Sequence, residues 1–434
     1  MTENRINSKP QLVTKSNLLT FVLITSLFAL WAFANGITSP MVAAFQTLME
    51  LPASQAALVQ FAFYGGYATM AVPAALFIRR FSHKSAILLG LGLYAFGAFL
   101  FIPAAHYQAF SFFCFSLYIL TFGLAFLETT ANPLILSLGA KETATQRLNL
   151  AQAFNPMGSL LGMAVASNIV LPQLWSDKRG ASGEILYHGL SVAEKADIRL
   201  HDLEIIRNPY VMLGVIVLCV FVMIAFKKMP RSNGSAKYVS NRITLSRLWC
   251  NRKYRYGVVA QMFYVAAQIM VWTFIIQYAN NLGINKAIAE RYNIVAMVLF
   301  LSGRFITTFL MKYVKSNRLL ACFGIGAIIA TTGAIFIQGM VGLYSLILIS
   351  FFMSLMFPTI YGIALEGVDA EDTNLGAAFL VMAIVGGALM PPLQGALIDC
   401  GVLFGMPAVN VSFVLPLLCF IAVALYGYRC SWNR

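Results

Sequence analysis

Residues 110–139 read FSFFCFSLYILTFGLAFLETTANPLILSLG, and Glu128 is the single charged side chain in these 30 residues. About 20 consecutive apolar residues are enough for a helix to cross the hydrocarbon core of a bilayer. A carboxylate at that depth costs several kcal/mol, so it is normally absent unless it lines a polar path or binds something. The stretch therefore predicts a transmembrane helix with a functional acid in its interior.

The rest of the chain repeats this apolar pattern. Its 434 residues are 59% hydrophobic and 11% charged, with a mean hydropathy of +0.77, whereas soluble domains carry roughly 25% charged residues. Twelve apolar runs lie near 18–44, 54–78, 85–105, 110–139, 146–171, 209–226, 256–280, 293–311, 319–340, 342–365, 375–398 and 405–428. The predicted fold class is an all-α membrane protein with twelve transmembrane helices.

The basic residues are distributed unevenly along the chain. The formal net charge is +14, which in a soluble protein could indicate nucleic-acid binding. With the N-terminus placed in the cytoplasm, however, 22 of the 30 lysines and arginines fall in the tails and the cytoplasmic connections. This positive-inside bias predicts cytoplasmic termini and no nucleic-acid partner. Helical spans, together with a first apolar run too long for a cleavable signal peptide, predict a multi-pass protein of the inner membrane.

Two polar segments divide the spans. Residues 172–207 form a predicted periplasmic loop between spans five and six, and the basic residues 227–255 form a predicted cytoplasmic linker. The predicted organisation is therefore a cytoplasmic tail over 1–17, a six-helix half over 18–226 that contains the loop, the linker, and a second six-helix half over 256–434.

Short repeats relate the two halves. NLAQAF at 149–154 recurs as NLGAAF at 374–379, an offset of 225 residues, and the same offset carries Pro133 onto Pro358. Six plus six spans with internal duplication is the plan of the major facilitator transporters, whose halves rock about a midplane binding site. The repeats thus predict two halves around a central cavity.

Polar side chains recur at helical spacing inside the spans, which places each set on one helix face. The sets on spans one, two, four, five and seven are Trp31, Asn35 and Ser39; Gln60, Tyr64 and Tyr67; Glu128 and Asn132; Gln152, Asn155 and Ser159; and Gln261, Tyr264, Gln268 and Trp272, followed by Gln277 and Tyr278. Such amides and rings would suit an uncharged, polyhydroxylated substrate, because amides and carboxylates hydrogen-bond hydroxyls and aromatic rings stack on sugars. Alternatively, the same residues join helices by hydrogen bonds.

Arg304, in LSGRFITTF, is the other charge deep in a span. It could face the cavity, or it could reach the cytoplasmic surface and brace the carboxyl ends of neighbouring helices. An anionic substrate would need more cationic partners than this one residue supplies. The sequence therefore favours a neutral substrate and leaves both positions of Arg304 open.

The cysteines and histidines indicate neither a metal nor a cofactor. The seven cysteines are scattered, mostly within spans, and the four histidines sit at span ends or in the long loop, so no metal pattern or disulfide framework results. We therefore expect no enzyme activity.

Two competing function classes are an exporter of the same superfamily, which should have a more hydrophobic cavity, and a membrane enzyme or sensor, which would need a nucleophile constellation or a soluble output domain.

Eight motifs together point to one family. They are LWAFAN (30–35), AFYGGY (62–67), LETTANP (127–133), RLNLAQAFN (147–155), AQMFYVAAQ (260–268), GRF (303–305), FPTIYGIAL (357–365) and the GG pair at 386–387. With them the chain resembles the L-fucose:proton symporter family of the major facilitator superfamily, which also contains glucose/galactose and N-acetylglucosamine permeases. The resemblance implies that Glu128 binds sugar hydroxyls and exchanges a proton, and that Gln152 and Asn155 are substrate-linked amides.

One position departs from the family's pattern. The family carries an aspartate in span one that is important for proton coupling, and LWAFANGITSP places Ser39 there. Either Glu128 alone couples transport to protons, or the coupling differs, with sodium or simple facilitation as alternatives.

The resulting expectation is a monomeric secondary transporter that imports a neutral monosaccharide, with L-fucose and proton symport favoured, through alternating access. The alternatives are the glucose/galactose and N-acetylglucosamine permeases of the family, with sodium coupling or none, and the exporter. Structural or gating roles are open for Ser39 and Arg304. The residues expected to bind the sugar, besides Glu128, are Trp31, Asn35, Tyr64, Asn132, Gln152, Asn155, Gln261, Tyr264 and Gln268.

Overall fold

The computed structural model describes residues 12–14, 17–51, 58–178, 186–226, 241–284, 286–398 and 400–432. In these ranges the chain is α-helical, apart from short 3₁₀ or π turns, connecting residues and one small hairpin. The hairpin pairs Val402–Leu403 with Met406–Pro407 in antiparallel register. An all-helical chain is what the apolar runs predict, because inside a bilayer a helix satisfies its own backbone hydrogen bonds.

The helices have the following bounds. The α-helices are Leu18–Leu48, Leu58–Arg80, His83–Phe99, Phe101–Tyr107, Phe110–Ser137, Ala144–Gln152, Phe154–Val165, Val192–Phe226, Asn241–Cys250, Arg252–Asn281, Lys286–Leu310, Ser316–Phe336, Met340–Met353, Met356–Leu365, Thr373–Met382, Gly386–Ile398, Ala408–Ser412 and Val414–Trp432. The 3₁₀ and π turns are Lys141–Thr143, Ala166–Val170, Leu171–Gln173, Trp175–Asp177, Leu186–Gly189 and Ala383–Val385.

Twelve helical stretches among the described residues are long and apolar enough to cross a membrane, which confirms the predicted twelve spans. Spans one to twelve are Leu18–Thr38, Phe61–Arg80, His83–Tyr107, Phe110–Ser137, Lys141–Gln173, Val192–Phe226, Arg252–Ala279, Arg291–Leu310, Ser316–Phe336, Met340–Leu365, Thr373–Ile398 and Ala408–Cys430.

Span six is longer than its apolar run, and its first turns lie within the predicted loop 172–207. The helix begins at Val192 because Ser191 and Glu194 form a capping box. The Ser191 amide donates to the Glu194 carboxylate at 2.9 Å, and the Glu194 amide points back to the Ser191 hydroxyl at 3.5 Å. These two bonds satisfy amides that would otherwise be unpaired at the helix start. The segment between spans five and six is therefore partly helical.

The predicted tail and linker are described in part. Residues 1–11, 15–16 and 227–240 lie outside the described residues. The described part of the linker is helical over Asn241–Cys250, and span seven begins directly afterwards at Arg252. The division into six-helix halves at 227–255 stays a prediction.

The chain folds into two compact units. The first unit is drawn from Met1–Ser26, Ala131–Phe154 and Asn233–Arg434, and the second from Leu27–Thr130 and Asn155–Ser232. Span four therefore contributes Glu128 to the second unit and Asn132 to the first.

Glycines allow spans one and five to touch within the second unit. A Cβ atom at Gly36 would overlap the carbonyl oxygen of Ser159, and one at Gly158 would overlap the carbonyl oxygen of Ala29. Small residues at such contacts let membrane helices approach backbone to backbone. The two helices that carry Trp31, Asn35 and the Asn155 region are thus fixed against each other.

A buried aspartate holds the connection after span five against span six, and we expect Asp202→Asn to lower stability. The Asp202 carboxylate accepts from the backbone amides of Trp175 and Ser176 at 2.9 and 2.8 Å, and His201 Nδ1 lies 3.0 Å from it. An asparagine would turn an NH₂ group toward one of these amides, which should cost about 1–3 kcal/mol. The midpoint of thermal unfolding of the purified protein measures this loss. Asp197→Asn, at an exposed position of the same helix, is the matched control, and equal midpoints for both variants would refute the anchoring role.

Candidate substrate and coupling site

Glu128 lies in the interior of span four and is paired with a phenol of span two. Its side chain is 6% exposed, and the Tyr67 hydroxyl is in hydrogen-bonding contact with its carboxyl group. The phenol can donate to an ionised carboxylate and can also accept from a protonated one. A buried acid with an amphoteric partner can therefore hold a proton or release it without losing its hydrogen bond.

Tyr64 extends this polar group by one helical turn along span two. It is buried, and its hydroxyl is in hydrogen-bonding contact with the half-buried Asn35 of span one. Trp31, one turn before Asn35, is buried with its ring centroid 4.3 Å from that of Phe28. The second unit thus brings together carboxyl, phenol, amide and indole groups from spans one, two and four.

Two predicted residues of the second unit remain without an assigned contact. Asn155 is half-buried at the start of the helix Phe154–Val165. The backbone of Ser39 is helical, but its side chain lies outside the described residues. The roles predicted for both residues therefore remain predictions.

The first unit contains a chain of hydrogen bonds through three of the predicted residues. Gln152 Nε2 donates to Asn132 Oδ1 at 2.9 Å, and the Gln152 side-chain oxygen lies 3.5 Å from Arg304 Nη1. All three side chains are buried. Because Gln152 uses its amide nitrogen toward Asn132 and its oxygen toward Arg304, the orientation of this amide is fixed.

Two prolines explain the position of Arg304. A proline has no N–H, so the carbonyl four residues earlier loses its usual helical partner. Pro156 therefore leaves the Gln152 carbonyl without its helical N–H donor, and Pro358 leaves the Ser354 carbonyl without its own. Arg304 Nη1 donates to the Gln152 carbonyl oxygen at 2.7 Å, and Arg304 Nε donates to the Ser354 carbonyl oxygen.

Arg304 therefore bridges the interrupted regions of spans five and ten from its place on span eight. Its guanidinium also lies 4.8 Å from the centroid of the Phe300 ring and contacts the Tyr264 hydroxyl. Charge-assisted hydrogen bonds of this kind are roughly twice as strong as neutral ones. The cation is thus held by backbone carbonyls and aromatic rings of the first unit.

Span seven supplies the remaining predicted residues. Gln261 is fully buried, and within the described part of the chain neither its amide oxygen nor its amide nitrogen has a hydrogen-bond partner. Tyr264 is fully buried and donates its hydroxyl to the Met353 carbonyl at 3.2 Å. Gln268 is half-buried. An unpaired buried amide costs about 1–3 kcal/mol, which marks Gln261 as the span-seven residue most ready to bind a ligand.

Three contacts involve residues that are not among those expected to bind the sugar. Tyr67, the partner of Glu128, follows Tyr64 at i+3, so the helical spacing that singled out Tyr64 also marked it. Asn149 Nδ2 donates to the Thr359 hydroxyl at 3.1 Å, and Gln146 Nε2 donates to the Thr308 carbonyl at 2.9 Å. The repeats NLAQAF and FPTI contain Asn149 and Thr359, but repetition alone does not indicate that the two side chains touch.

The chemistry of these groups is that of binding and proton exchange. Carboxyl, amide and phenol groups offer both donors and acceptors to hydroxyl groups, and the one buried acid of span four can carry a proton. In the part of the chain that the structure describes, no three His, Cys, Asp or Glu side chains lie close enough to hold a metal ion. Groups of this kind are suited to recognising a neutral polar molecule.

Known proteins similar to this chain are transporters. Residues 19–392 match the Major Facilitator Superfamily. The L-fucose-proton symporter of Haemophilus influenzae is 62% identical over 424 residues, which are 98% of this chain and 99% of the relative. The L-fucose-proton symporter of Escherichia coli is 33% identical over 421 residues, which are 95% of this chain and 93% of the relative.

A solved structure agrees with these relatives. The crystal structure of the transporter FucP in its outward conformation matches with a TM-score of 0.86 at 33% identity, covering 96% of this chain and 100% of that one. The fold class predicted from the apolar runs is thereby confirmed. The chain belongs to the major facilitator superfamily.

Proposed function

We propose that this protein imports L-fucose together with protons by alternating access. The observation that carries the proposal is Glu128, a buried acid in a span with no other charge, hydrogen-bonded to Tyr67. The 62% identity to the Haemophilus influenzae symporter over nearly the whole chain supports the choice of sugar and of coupling ion. The protein acts as a transporter and not as an enzyme, works as a monomer and needs no cofactor beyond the coupling proton.

Polar side chains on spans one, two, four, five and seven are the groups that bind the sugar. Trp31 supplies an apolar ring face, while Asn35, Tyr64 and Asn155 supply hydrogen-bonding groups from the second unit. Asn132, Gln152, Gln261, Tyr264 and Gln268 belong to the first unit. The set carries donors and acceptors for several hydroxyl groups, which is what a monosaccharide requires. Arg304 takes part indirectly, by fixing the Gln152 amide.

Glu128 couples the sugar to the proton. With its proton bound, the carboxyl group is neutral, and the loaded protein can reorient without carrying a bare charge through the membrane. Release of the proton on the cytoplasmic side restores the carboxylate, which can accept hydrogen bonds from the sugar but can no longer donate one. Ser39 cannot exchange a proton in this way, so Glu128 is the one coupling acid in the proposal.

The topology follows from the charge distribution. With the N-terminus placed in the cytoplasm, 22 of the 30 lysines and arginines lie in the tails, in the cytoplasmic connections or in the span ends next to them. We place this side in the cytoplasm of a cell with an inner membrane, so that both termini are cytoplasmic.

Uptake of labelled L-fucose into proteoliposomes tests the function. We expect accumulation when an inward proton gradient is imposed, and competition by unlabelled L-fucose but not by glucose or galactose. Entry that does not respond to protons would contradict proton symport and direct the search to sodium or facilitation. Uptake of glucose or galactose in place of L-fucose would refute the substrate and favour the glucose/galactose branch of the family.

Gln261→Leu should weaken sugar binding without lowering stability. Leucine fills a similar volume and removes an amide whose two polar atoms lack partners among the described residues, so the folded state loses no hydrogen bond. Loss of one or two bonds to the sugar should reduce its affinity about tenfold, the equivalent of ~1.4 kcal/mol. Equilibrium binding of L-fucose and thermal unfolding of the purified variant measure the two effects.

Gln394→Leu is the matched control for this prediction. Gln394 is a fully buried amide of span eleven whose Nε2 donates to the Ser412 hydroxyl at 3.1 Å. Its replacement should lower the unfolding midpoint and leave L-fucose affinity unchanged. Equal losses of stability in both variants would show that Gln261 is a packing residue.

A further inference from the structure

A groove of about 510 Å³ opens in the first unit, and none of the residues proposed to bind the sugar is among its lining residues. It is formed where span seven begins and where spans ten and twelve end. Arg252, Lys253, Glu366 and Arg429 stand among its lining residues, together with Val259 and Leu425. On the proposed topology this end of the spans faces the cytoplasm.

The polar end of the groove is positively charged. Lys253 Nζ lies 2.8 Å from the Glu366 carboxylate, so this acid is neutralised. Arg252 and Arg429 are exposed, and the Arg429 guanidinium lies 5.6 Å from the centroid of the Tyr256 ring. Three cations against one carboxylate leave a net charge of +2 in the groove. Span seven also begins at Arg252, so the positive end of its helix dipole adds to this field.

Apolar side chains line the part of the groove that lies deeper in the spans than the charged end. Val259 follows Arg252 by two helical turns, or about 10 Å along span seven. Leu425 precedes Arg429 by one turn on span twelve. Both apolar side chains are about half exposed, at 47% and 53%. Each of the two helices therefore presents a cation at its end and an exposed apolar side chain deeper in the span.

We propose that this groove binds an anionic phospholipid. Its headgroup phosphate lies between Arg252 and Arg429, and an acyl chain runs along Val259 and Leu425. Basic pockets between transmembrane helices at the cytoplasmic side are suited to phosphate headgroups. A small soluble anion would use the cations alone, whereas a lipid also covers the apolar wall, which is why we commit to the lipid.

Native mass spectrometry of the full-length protein, titrated with phosphatidylglycerol against phosphatidylcholine, tests the proposal. We expect wild-type protein to retain phosphatidylglycerol selectively, and Arg252→Ala/Arg429→Ala to bind it roughly thirtyfold more weakly. Lys312→Ala/Lys315→Ala removes the same charge from exposed positions outside the groove and should bind as the wild type does. Equal weakening in both double variants would show a diffuse surface effect and overturn the site.

Two further measurements distinguish lipid binding from loss of folding and from binding of a soluble anion. Arg252→Lys/Arg429→Lys keeps the charge and should keep selective binding, which separates loss of the phosphate contact from loss of folding. Inorganic phosphate, added in excess, should leave the bound phosphatidylglycerol in place. Displacement by phosphate would overturn the lipid proposal in favour of a soluble-anion site.

Discussion

Glu128→Gln is expected to abolish proton-driven accumulation of L-fucose while the exchange of internal for external sugar continues. Glutamine is close to isosteric with the protonated acid and keeps a hydrogen bond to Tyr67, so binding and reorientation of the loaded protein survive. It cannot release a proton, so the electrochemical gradient no longer drives the sugar. One charge moving through ~100 mV is worth about 2.3 kcal/mol, or roughly fiftyfold accumulation. In the variant this ratio should fall to about one.

The measurement compares two assays on the same proteoliposomes. Uphill uptake under an imposed proton gradient reports coupling, and counterflow of labelled sugar reports exchange. Glu142→Gln, which removes an exposed acid at the start of span five, should behave as the wild type in both assays. Uphill uptake by the Glu128→Gln protein would refute Glu128 as the coupling group, and loss of counterflow would show that the carboxylate is needed for binding itself.

The spans were predictable because the hydropathy of each apolar run can be read from that run alone. Each apolar run is long enough to cross the membrane on its own, so no knowledge of its neighbours is needed to recognise it. Span six shows the limit of this reasoning. Its helix starts at Val192 under the control of a capping box, among charged residues that a hydropathy pattern assigns to a loop.

The site was predictable residue by residue but not contact by contact. Helical spacing places Glu128, Asn132 and Gln152 on polar faces, and the structure finds all three buried. Helical spacing does not show which amides pair with each other, or which remain without a partner, as Gln261 does among the described residues. Such pairings depend on how helices far apart in the chain lie together, and a single sequence does not record that arrangement.

Arg304 is the clearest case of this dependence. Its sequence neighbourhood suggested either a cavity-facing cation or a brace near the cytoplasmic surface. Its observed partners are carbonyls 152 and 50 residues away along the chain. They are available because Pro156 and Pro358 remove the amides that would otherwise bind them.

We expect Arg304→Leu to lower both stability and transport strongly. Without the guanidinium, the carbonyls of Gln152 and Ser354 are left unpaired, at a cost of about 1–3 kcal/mol each. Relief from burying a charge offsets part of this cost, so the net loss should still exceed that of the Asp202→Asn variant. The Gln152 amide also loses its orientation toward Asn132, which should weaken sugar binding. Thermal unfolding and L-fucose affinity measure the two losses.

Arg304→Lys separates charge from geometry. A lysine keeps the charge but cannot reach two carbonyls with a planar fork of donors, so it should recover only part of the stability. Full recovery by lysine would mean that the positive charge alone matters and that the bridge between the two carbonyls does not.

Removal of a proline is expected to rescue Arg304→Leu in part. Pro156→Ala and Pro358→Ala each restore an amide that can bond the carbonyl four residues earlier, so the orphaned oxygens regain helical partners. In the wild-type background these changes compete with Arg304 and should be neutral or harmful. Combined with Arg304→Leu, they should raise the unfolding midpoint above that of the single variant, which is a coupling energy measured by a mutant cycle. Strictly additive effects would contradict the account, because they would show that Arg304 and the prolines act on different atoms.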